Sequence, residues 1–581
     1  MLTKNEFDIL YRIKINNISD VKSFNEGLIQ TLINKNLVEL NNGDVSLTSL
    51  GEDELSKHKV DNAIIMAAGM SSRLAPISYE TPKGLMKVRG EVLIERQIEQ
   101  LQEAGIDDIT IILGYLKERF FYLEDKYNVN IVINDDYYKY NNPSSLMKVI
   151  DKLGNSYVCS SDNYFSENVF RPYVYEGYYP AVYLHEFEDE YCAEFDDDGT
   201  IKKLWTDGDH DEWVIMGHVY FDRNFSSAFK KILVEQYDET NVKDKVWEYL
   251  YMQNLDKLKL KAKKYEDGII FEFDTVEDAL KLDKQFVINN ESNVMNNICK
   301  YFECSKDDIF DIEAIKSGLT NRSFKFSVKD NGTFVYRHPG DGTEEYIDRN
   351  SEEHSMQIAK DLGLDDTFVF MDKKEGWKLS KYINNARTMD YNNAKEVSQA
   401  LSMIRKLHDS NSKSSFDFDI WKHTLEYIDQ LKDCGKDKTD DFYNLFHEVE
   451  KVYKIASKDK YARNVLCHND CYDPNFLLDD DNNMYLIDWE YSGNDDPASD
   501  IGTFICCSEW PYDRALEAIE EYLQHKPDVE ELKHYFAYVS VASYYWYVWA
   551  LYQETRGNPM GEWTYLWYKN AKLYAKNFNE L

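Results

Sequence analysis

The chain has 581 residues, a formal net charge of −38 and 43% hydrophobic residues. At about 150 residues per domain that length predicts three or four domains. The charge argues against general affinity for nucleic acid or anionic membranes, and no segment approaches the ~20 apolar residues of a membrane span.

Nine cysteines at irregular spacing, without a CxxC pair, read as reduced thiols. The N-terminus lacks the apolar core of a signal peptide, so the expectation is a cytoplasmic protein.

Residues 1–58 predict short helices followed by a small hairpin. Phe7, Leu10, Tyr11 and Ile13 recur at helical spacing, and Leu28, Leu32 and Ile33 repeat the pattern between Ser23 and Asn36. The turn Asn41-Asn-Gly-Asp44 then joins Leu37-Val-Glu-Leu to Val45-Ser-Leu-Thr. The layout resembles a winged helix. A DNA reader needs a basic recognition helix, whereas Ser23 to Asn36 offers only Lys35 while carrying Glu26. The expectation is therefore a docking or regulatory module that meets a protein partner or a second copy of the chain, and not a nucleic-acid reader.

Residues 61–287 alternate strand and helix. Ala63 to Ala67 reads as a buried strand, Val92 to Glu103 as an amphipathic helix, Ile109 to Leu113 as a strand and Leu116 to Lys126 as a helix. Asn130 to Ile133 and Tyr157 to Ser160 add two strands. This rhythm predicts a Rossmann-like parallel sheet with helices on both faces and ligands at the carboxyl ends of the strands. The polar run Asn289 to Asn293 reads as a linker. Residues 295–581 open with a short helix, followed by strands (Phe324 to Val328, Thr333 to Arg337) and a helix from about Ser351, then become mostly helical. The predicted class is thus multidomain, α/β followed by an α+β bilobal domain of the protein-kinase type.

The first chemical motif is the loop Ala67-Ala-Gly-Met-Ser-Ser-Arg73, which leaves a buried strand and is followed by Thr81-Pro-Lys83. Backbone N–H groups at Ala68 and Gly69 can approach nucleotide phosphates, while Arg73 and Lys83 neutralise charge. Together these features resemble nucleotidylyltransferases, which join a nucleoside triphosphate to a phosphate monoester and release pyrophosphate. Over 61–287 the resemblance is closest to bacterial CTP:phosphocholine cytidylyltransferases. It is carried by Thr81-Pro-Lys-Gly-Leu, Gly114-Tyr-Leu-Lys-Glu, Asn134-Asp, Tyr140-Asn-Asn, Ser161-Asp-Asn-Tyr164 and Phe271-Glu-Phe-Asp-Thr-Val-Glu-Asp278. The resemblance implies Lys83 as a catalytic cation and Mg2+ on Asp162 and Asp274. Asp274 also reads as a helix N-cap with Glu277 completing a capping box. Tyr191, Trp205, Trp213 and Trp247 are candidate aromatics for a quaternary ammonium. Met70-Ser-Ser departs from the more Gly-rich run common in the family.

The second motif is Cys467-His-Asn-Asp-Cys-Tyr-Asp-Pro-Asn475 with Leu486-Ile-Asp-Trp-Glu490. Phosphoryl transfer needs a carboxylate to accept a hydroxyl proton and two oxygen ligands for Mg2+ on the phosphates. Asp470, Asn475 and Asp488 have the order and spacing that protein kinases use. Upstream, Ser317-Gly-Leu-Thr-Asn-Arg322 resembles the phosphate-covering loop of choline and aminoglycoside kinases, which implies Ser317, Thr320 and Asn321 at the nucleotide. Arg337 stands where protein kinases carry a phosphate-binding lysine, and a guanidinium binds phosphate bidentately. Glu352 is its expected partner, unless it merely favours the first turn of a helix.

Choline kinases share His468-Asn-Asp470, Asn475 and Asp488-Trp-Glu-Tyr491 with this chain. That resemblance implies Asp470 as base, Asn475 and Asp488 as Mg2+ ligands, and Glu490 as a metal-linked or substrate-facing carboxylate. Trp546 and Trp549, three apart, share a helix face and suit a trimethylammonium cage; the same pair occurs in choline kinases. Trp563, Tyr565 and Trp567 are further candidates.

The two resemblances share an intermediate. They imply a bifunctional bacterial choline kinase and CTP:phosphocholine cytidylyltransferase, with ATP and CTP as co-substrates and Mg2+ at both sites. Its product would be activated phosphocholine for cell-surface glycans or lipids. Two other readings are the same activities on ethanolamine or a sugar, and a transcriptional regulator with degenerate enzyme domains.

Overall fold

A computed structural model describes residues 2–187, 190–208, 210–238, 242–315, 322–339, 348–433, 441–555 and 560–581. The chain divides into two units, Met1–Asp308 and Ile309–Leu581.

The first unit begins with helix Lys4–Lys14, which a capping box between Thr3 and Glu6 starts, and helix Glu26–Asn34, capped by Asn25. A hairpin, Val38–Asn41 with Asp44–Leu47, turns through Asn42 and Gly43. Both turn residues have positive φ, the conformation that two-residue hairpin loops require. A third helix, Ser49–Ser56, follows the hairpin and was not expected from sequence. Leu10, Leu32, Val45 and Leu55 fill the small core of this module, and Tyr173 and Tyr175 of the following sheet domain pack against it.

The sheet domain has ten strands. Asn62–Ala67 lies between Ser156–Ser160 and Ile109–Leu113, and Asn130–Ile133 completes a parallel half. Ile64 pairs with both Thr110 and Val158, so the strand is central. Ala63 and Ile65 face one core with Ile94, Ile98 and Leu101 of helix Leu93–Glu103. Ile64 faces the other, with Phe225, Phe229 and Leu233 of helix Arg223–Gln236 and Trp247 of helix Trp247–Gln253. Helices therefore cover both faces, as the strand–helix rhythm predicts. The sheet as a whole is mixed: beyond Ser156–Ser160 it continues antiparallel through Val219–Phe221, Tyr178–Leu184, Glu212–Ile215, Cys192–Phe195 and Ile201–Trp205.

The run Asn289 to Asn293 is not a free linker. Asn290 is buried; its amide donates to Lys87 O at 2.9 Å and accepts from Lys87 N at 2.8 Å. Ser292 Oγ donates to Glu80 at 2.8 Å and starts helix Asn293–Phe302. These bonds fasten the segment to both flanks of the loop that carries Lys83.

The second unit opens with an antiparallel five-stranded sheet in the order Ile309–Ile315, Arg322–Val328, Gly332–His338, Lys378–Lys381, Phe368–Met371. Helix Arg349–Asp361 packs against its edge strand. A largely helical part follows, built round the 27-residue helix Val529–Thr555, whose residues 534–550 are buried on every side. Gly502 permits a neighbouring helix to close on it, since a Cβ there would lie 2.5 Å from Tyr538 O. Among the described residues no helix is long and apolar enough to cross a membrane.

Two candidate active sites

In the first unit the strand Asn62–Ala67 ends at Ala68 and Gly69, on the rim of a cavity of about 500 Å³ that also touches Ser71, Lys83, Asn134, Tyr137 and Asp162. Tyr115 N donates to Ala68 O at 3.1 Å, and a Cβ on Gly114 would strike both Tyr137 and Ala68 O below 3 Å, so Gly114 lets the loop close. Asp162 follows the strand Ser156–Ser160. A two-stranded ribbon, Ile270–Glu272 against Asn163–Phe165, brings Asp274 to it across more than a hundred residues.

Lys83 Nζ donates to Asp162 Oδ2 and Asp274 Oδ1, each at 2.9 Å, and Arg73 Nη1 reaches Asp274 Oδ2 at 3.3 Å. Burial by itself would lower the Lys83 pKa, but the two carboxylates more than reverse it, so the ammonium is held charged. The alternative role of Asp274 falls away: Thr275 is the N-cap of helix Val276–Leu282, and Asp278, not Glu277, closes its capping box. Asp274 is left to Lys83 and Arg73. Asp162 Oδ1 is buried and accepts no hydrogen bond among the described residues, an oxygen of the hard type that suits Mg2+.

Three carboxylates near this centre were missed in the sequence. Burial, with Asp274 close by, pushes Glu190 up to about 7, and burial also pushes Glu248 up to about 7. Glu272 is raised further by burial and by Asp162 and Glu190. Tyr179 donates to Glu248 at 2.9 Å, and Gly217 N to Glu272 at 3.3 Å. Of the four candidate aromatics, Trp247 is buried in the core, stacked on Tyr179. Lys203 covers Trp205 and Lys264 covers Trp213. Only Tyr191 stands half-buried beside Glu248. Glu272 could have been found, because it lies inside the Phe271–Asp278 motif; Glu190 and Glu248 carry no local signal.

In the second unit the strand Val465–Cys467 delivers His468, Asn469 and Asp470. Asp500, the fully buried fourth residue of helix Pro497–Cys506, fixes this loop by accepting from His468 N at 2.9 Å and Asn469 N at 2.6 Å, while His408 holds its Oδ2 at 2.9 Å. Asp500 was also missed. Asn475 Nδ2 donates to Asp470 Oδ2 at 2.8 Å, which leaves its amide oxygen as an acceptor. The hairpin Phe476–Leu478 with Met484–Leu486 then presents Asp488 in a left-handed conformation, φ 66°.

Arg337 Nη1 lies 3.0 Å from Asp488 and 3.2 Å from Glu490, and its Nη2 donates to Glu352. Glu352 also accepts from Arg349 at 3.0 Å and Lys378 at 3.2 Å. Burial would raise Glu352, but these cations hold it down at about 2. Glu352 is therefore an ion-pair partner, not only a first-turn acid. Asp470 is pushed well above the usual carboxylate range by burial and by Asp488. Ser317, Thr320 and Asn321 lie outside the described residues.

The tryptophans meet. Trp546 and Trp549 stand nearly perpendicular with ring centroids 5.4 Å apart, and Trp567 is 5.9 and 6.4 Å from them. Tyr491, next to Glu490, reaches the edge of Trp546 at 6.5 Å and feels the charge of Asp470. Tyr565 is 68% exposed and stays outside the cluster, whereas Trp563 lies tilted against Trp567 with ring centroids 5.3 Å apart. A second hollow of about 330 Å³, lined by Asp366, Lys381, Tyr485 and Asp479 to Asp481, contains none of the predicted site residues.

Comparison with known proteins finds a family for each unit. A choline/ethanolamine kinase family model matches residues 312–541, and a MobA-like NTP transferase domain matches residues 63–163. Choline-phosphate cytidylyltransferase of Streptococcus pneumoniae is 36% identical over 230 residues, which are 40% of this chain and 99% of that protein. A 2-aminoethylphosphonate cytidylyltransferase of Lancefieldella rimae is 31% identical over 230 residues, 39% of this chain and 93% of that protein. Protein LicA of Haemophilus influenzae is 26% identical over 261 residues, 42% of this chain and 94% of that protein.

Proposed function

The chain belongs to the choline-phosphate cytidylyltransferase family through its first unit and carries a choline/ethanolamine kinase domain in its second, and from that premise we propose that it makes CDP-choline in two steps. In the first, the choline hydroxyl gives its proton to Asp470 and attacks the γ-phosphorus of ATP, releasing ADP. In the second, a phosphate oxygen of phosphocholine attacks the α-phosphorus of CTP, pyrophosphate leaves, and Lys83 offsets the charge that gathers there. Asn475 with Asp488, and Asp162 with Asp274, offer hard oxygen donors for Mg2+, which when bound neutralises phosphate charge. Arg73 and the Ala68 and Gly69 amides receive CTP phosphates, and Arg337, oriented by Glu352, receives those of ATP. Activated phosphocholine of this kind would serve cell-surface glycans or lipids.

One observation carries the reading: in each unit a cluster of side chains suited to an organic cation lies near a phosphate-handling centre. In the kinase it is aromatic, Trp546, Trp549 and Trp567. In the transferase it is acidic, Glu190, Glu248 and Glu272 with Tyr191. A trimethylammonium has no N–H to donate, so indole faces hold it better than hydrogen-bond acceptors do. That favours choline over ethanolamine. The module formed by residues 2–56, whose helix Glu26–Asn34 has no basic residue, serves docking to protein in this reading.

Incubation with choline, ATP, CTP and Mg2+ should yield ADP, pyrophosphate and CDP-choline in equal amounts. Preference for ethanolamine at low concentration would sink the choline assignment. Trp546→Ala should raise the KM for choline roughly 30-fold, the equivalent of ~2 kcal/mol for a desolvated cation–π contact, with a smaller change for ethanolamine.

The transferase pocket also predicts a pH dependence. Glu190 and Glu248, pushed up to about 7, must lose protons to hold a cation. Choline, which does not titrate, should therefore inhibit phosphocholine turnover better as pH rises from 6 to 8, by up to about tenfold per unit below 7. Glu248→Gln should flatten the profile; a flat wild-type profile would remove the acids from the pocket.

A further inference from the structure

Sheet register places Lys378 directly opposite Arg337 on the antiparallel strands Lys378–Lys381 and Gly332–His338. Directly paired residues project to the same face, so two cations stand side by side, an arrangement that is unfavourable unless something between them compensates. Glu352 is that element. Its Oε1 accepts from both Arg337 and Lys378, the latter at 3.2 Å, while Arg349 takes Oε2. Lys378 Nζ also lies 3.8 Å from Asp488 Oδ1. Arg337, Lys378 and Arg349 thus balance Glu352, Asp488 and Glu490, and the Glu352 and Glu490 side chains are 0% and 3% exposed.

On the kinase reading, Arg337 has to turn toward the nucleotide's phosphates, yet here its Nη1 is engaged with Asp488 and Glu490. Were it to leave without replacement, the buried Glu490 and the half-buried Asp488 would lose their counter-charge, which is costly for the buried one above all. Arg337 Nε, buried and without a hydrogen bond among the described residues, is a donor still available to an incoming ligand.

We propose that Lys378 is a positioning residue of the ATP site, the reserve cation that keeps Glu352 and Asp488 in place when Arg337 turns to the phosphates. An ordinary strand lysine between Trp377 and Leu379 gives no sequence hint of this, because the role exists only through the cross-strand register. The inference rests on the kinase reading of the second unit, and the experiment separates the two.

Lys378→Met and Lys378→Arg are compared with wild type by ADP calorimetry, by KM for ATP against kcat and KM for choline, and by thermal unfolding. Lys378→Met should weaken ADP and raise the KM for ATP by about tenfold or more, with the KM for choline unmoved, and Lys378→Arg should recover most of the loss. Cytidylyl transfer by the same chain should be unaltered and reports on its folding. If Lys378→Met fails to fold, Lys378→Gln takes its place in each measurement. Unchanged ADP affinity in the neutral variant, or equal damage from Met and Arg, overturns the proposal. If wild type phosphorylates neither choline nor ethanolamine, it is the kinase reading that fails, and ADP calorimetry still decides whether Lys378 supports nucleotide binding.

Discussion

Asp470→Ala should cut choline phosphorylation by on the order of 10²–10⁴-fold while leaving the conversion of added phosphocholine to CDP-choline unchanged. Asp470 sits at the end of a loop whose amides are fixed by Asp500, and its carboxyl shares a 2.8 Å hydrogen bond with Asn475. Burial and the neighbouring Asp488 push Asp470 above the usual carboxylate range, the direction that makes it a stronger base than an ordinary aspartate. The same desolvation costs stability, since a buried acid beside Asp488 is uncomfortable when ionised. The variant should therefore unfold at the same temperature as wild type or higher, although its kinase is nearly dead. ADP release with choline, pyrophosphate release with phosphocholine and thermal unfolding measure the three effects. Loss of both activities would mean that the centres are not chemically independent.

Much of this was legible in the sequence, because both phosphate centres are built from short linear motifs. The spacing Asp470, Asn475, Asp488 survives any loop length elsewhere, and Trp546 and Trp549 meet because three residues apart on a helix is a contact. What failed depends on distance along the chain. The antiparallel half of the sheet contains short strands such as Ile201–Trp205, with lysines on its exposed positions, and Glu212–Ile215, and its strand Tyr178–Leu184 also pairs in parallel with a distant strand through Tyr178 and Lys261. Neither alternation nor length marks such strands strongly. Glu190, Glu248 and Lys378 are single charged residues that acquire a role only through partners on other elements. Asn290 reads as linker composition and is instead a buried amide with both hydrogen-bonding ends engaged by Lys87. Asp274 was ambiguous by pattern, and the hydrogen bonds of Thr275 resolve it.

Lys83→Met should be the complementary lesion, with pyrophosphate release from CTP and phosphocholine down by on the order of 10²–10³-fold and choline phosphorylation intact. Two consequences follow from the one ammonium. In turnover it offsets charge between two anionic reactants, and its loss should appear in kcat more than in binding. At rest it is the cation shared by Asp162 and Asp274, with Glu190 and Glu272 within reach of its field. Glu190 has its pKa raised from 4.5 to about 7 even with Lys83 present. A carboxyl whose pKa is raised on folding costs stability as pH climbs through the unfolded value, and the cost levels off above the folded value. Removing Lys83 takes away a cation that lowers both Glu190 and Glu272, so their folded values rise further. The variant's thermal midpoint should thus fall relative to wild type as pH rises from 5 to 8, and approach wild type near pH 4.5, where the acids are protonated. Asparagine in place of Asp274 would relieve the repulsion, so Asp274→Asn in the Lys83→Met background should restore stability without restoring turnover. A pH-independent gap between Lys83→Met and wild type would instead make Lys83 a packing residue, and the charge argument for its catalytic role would fall with it.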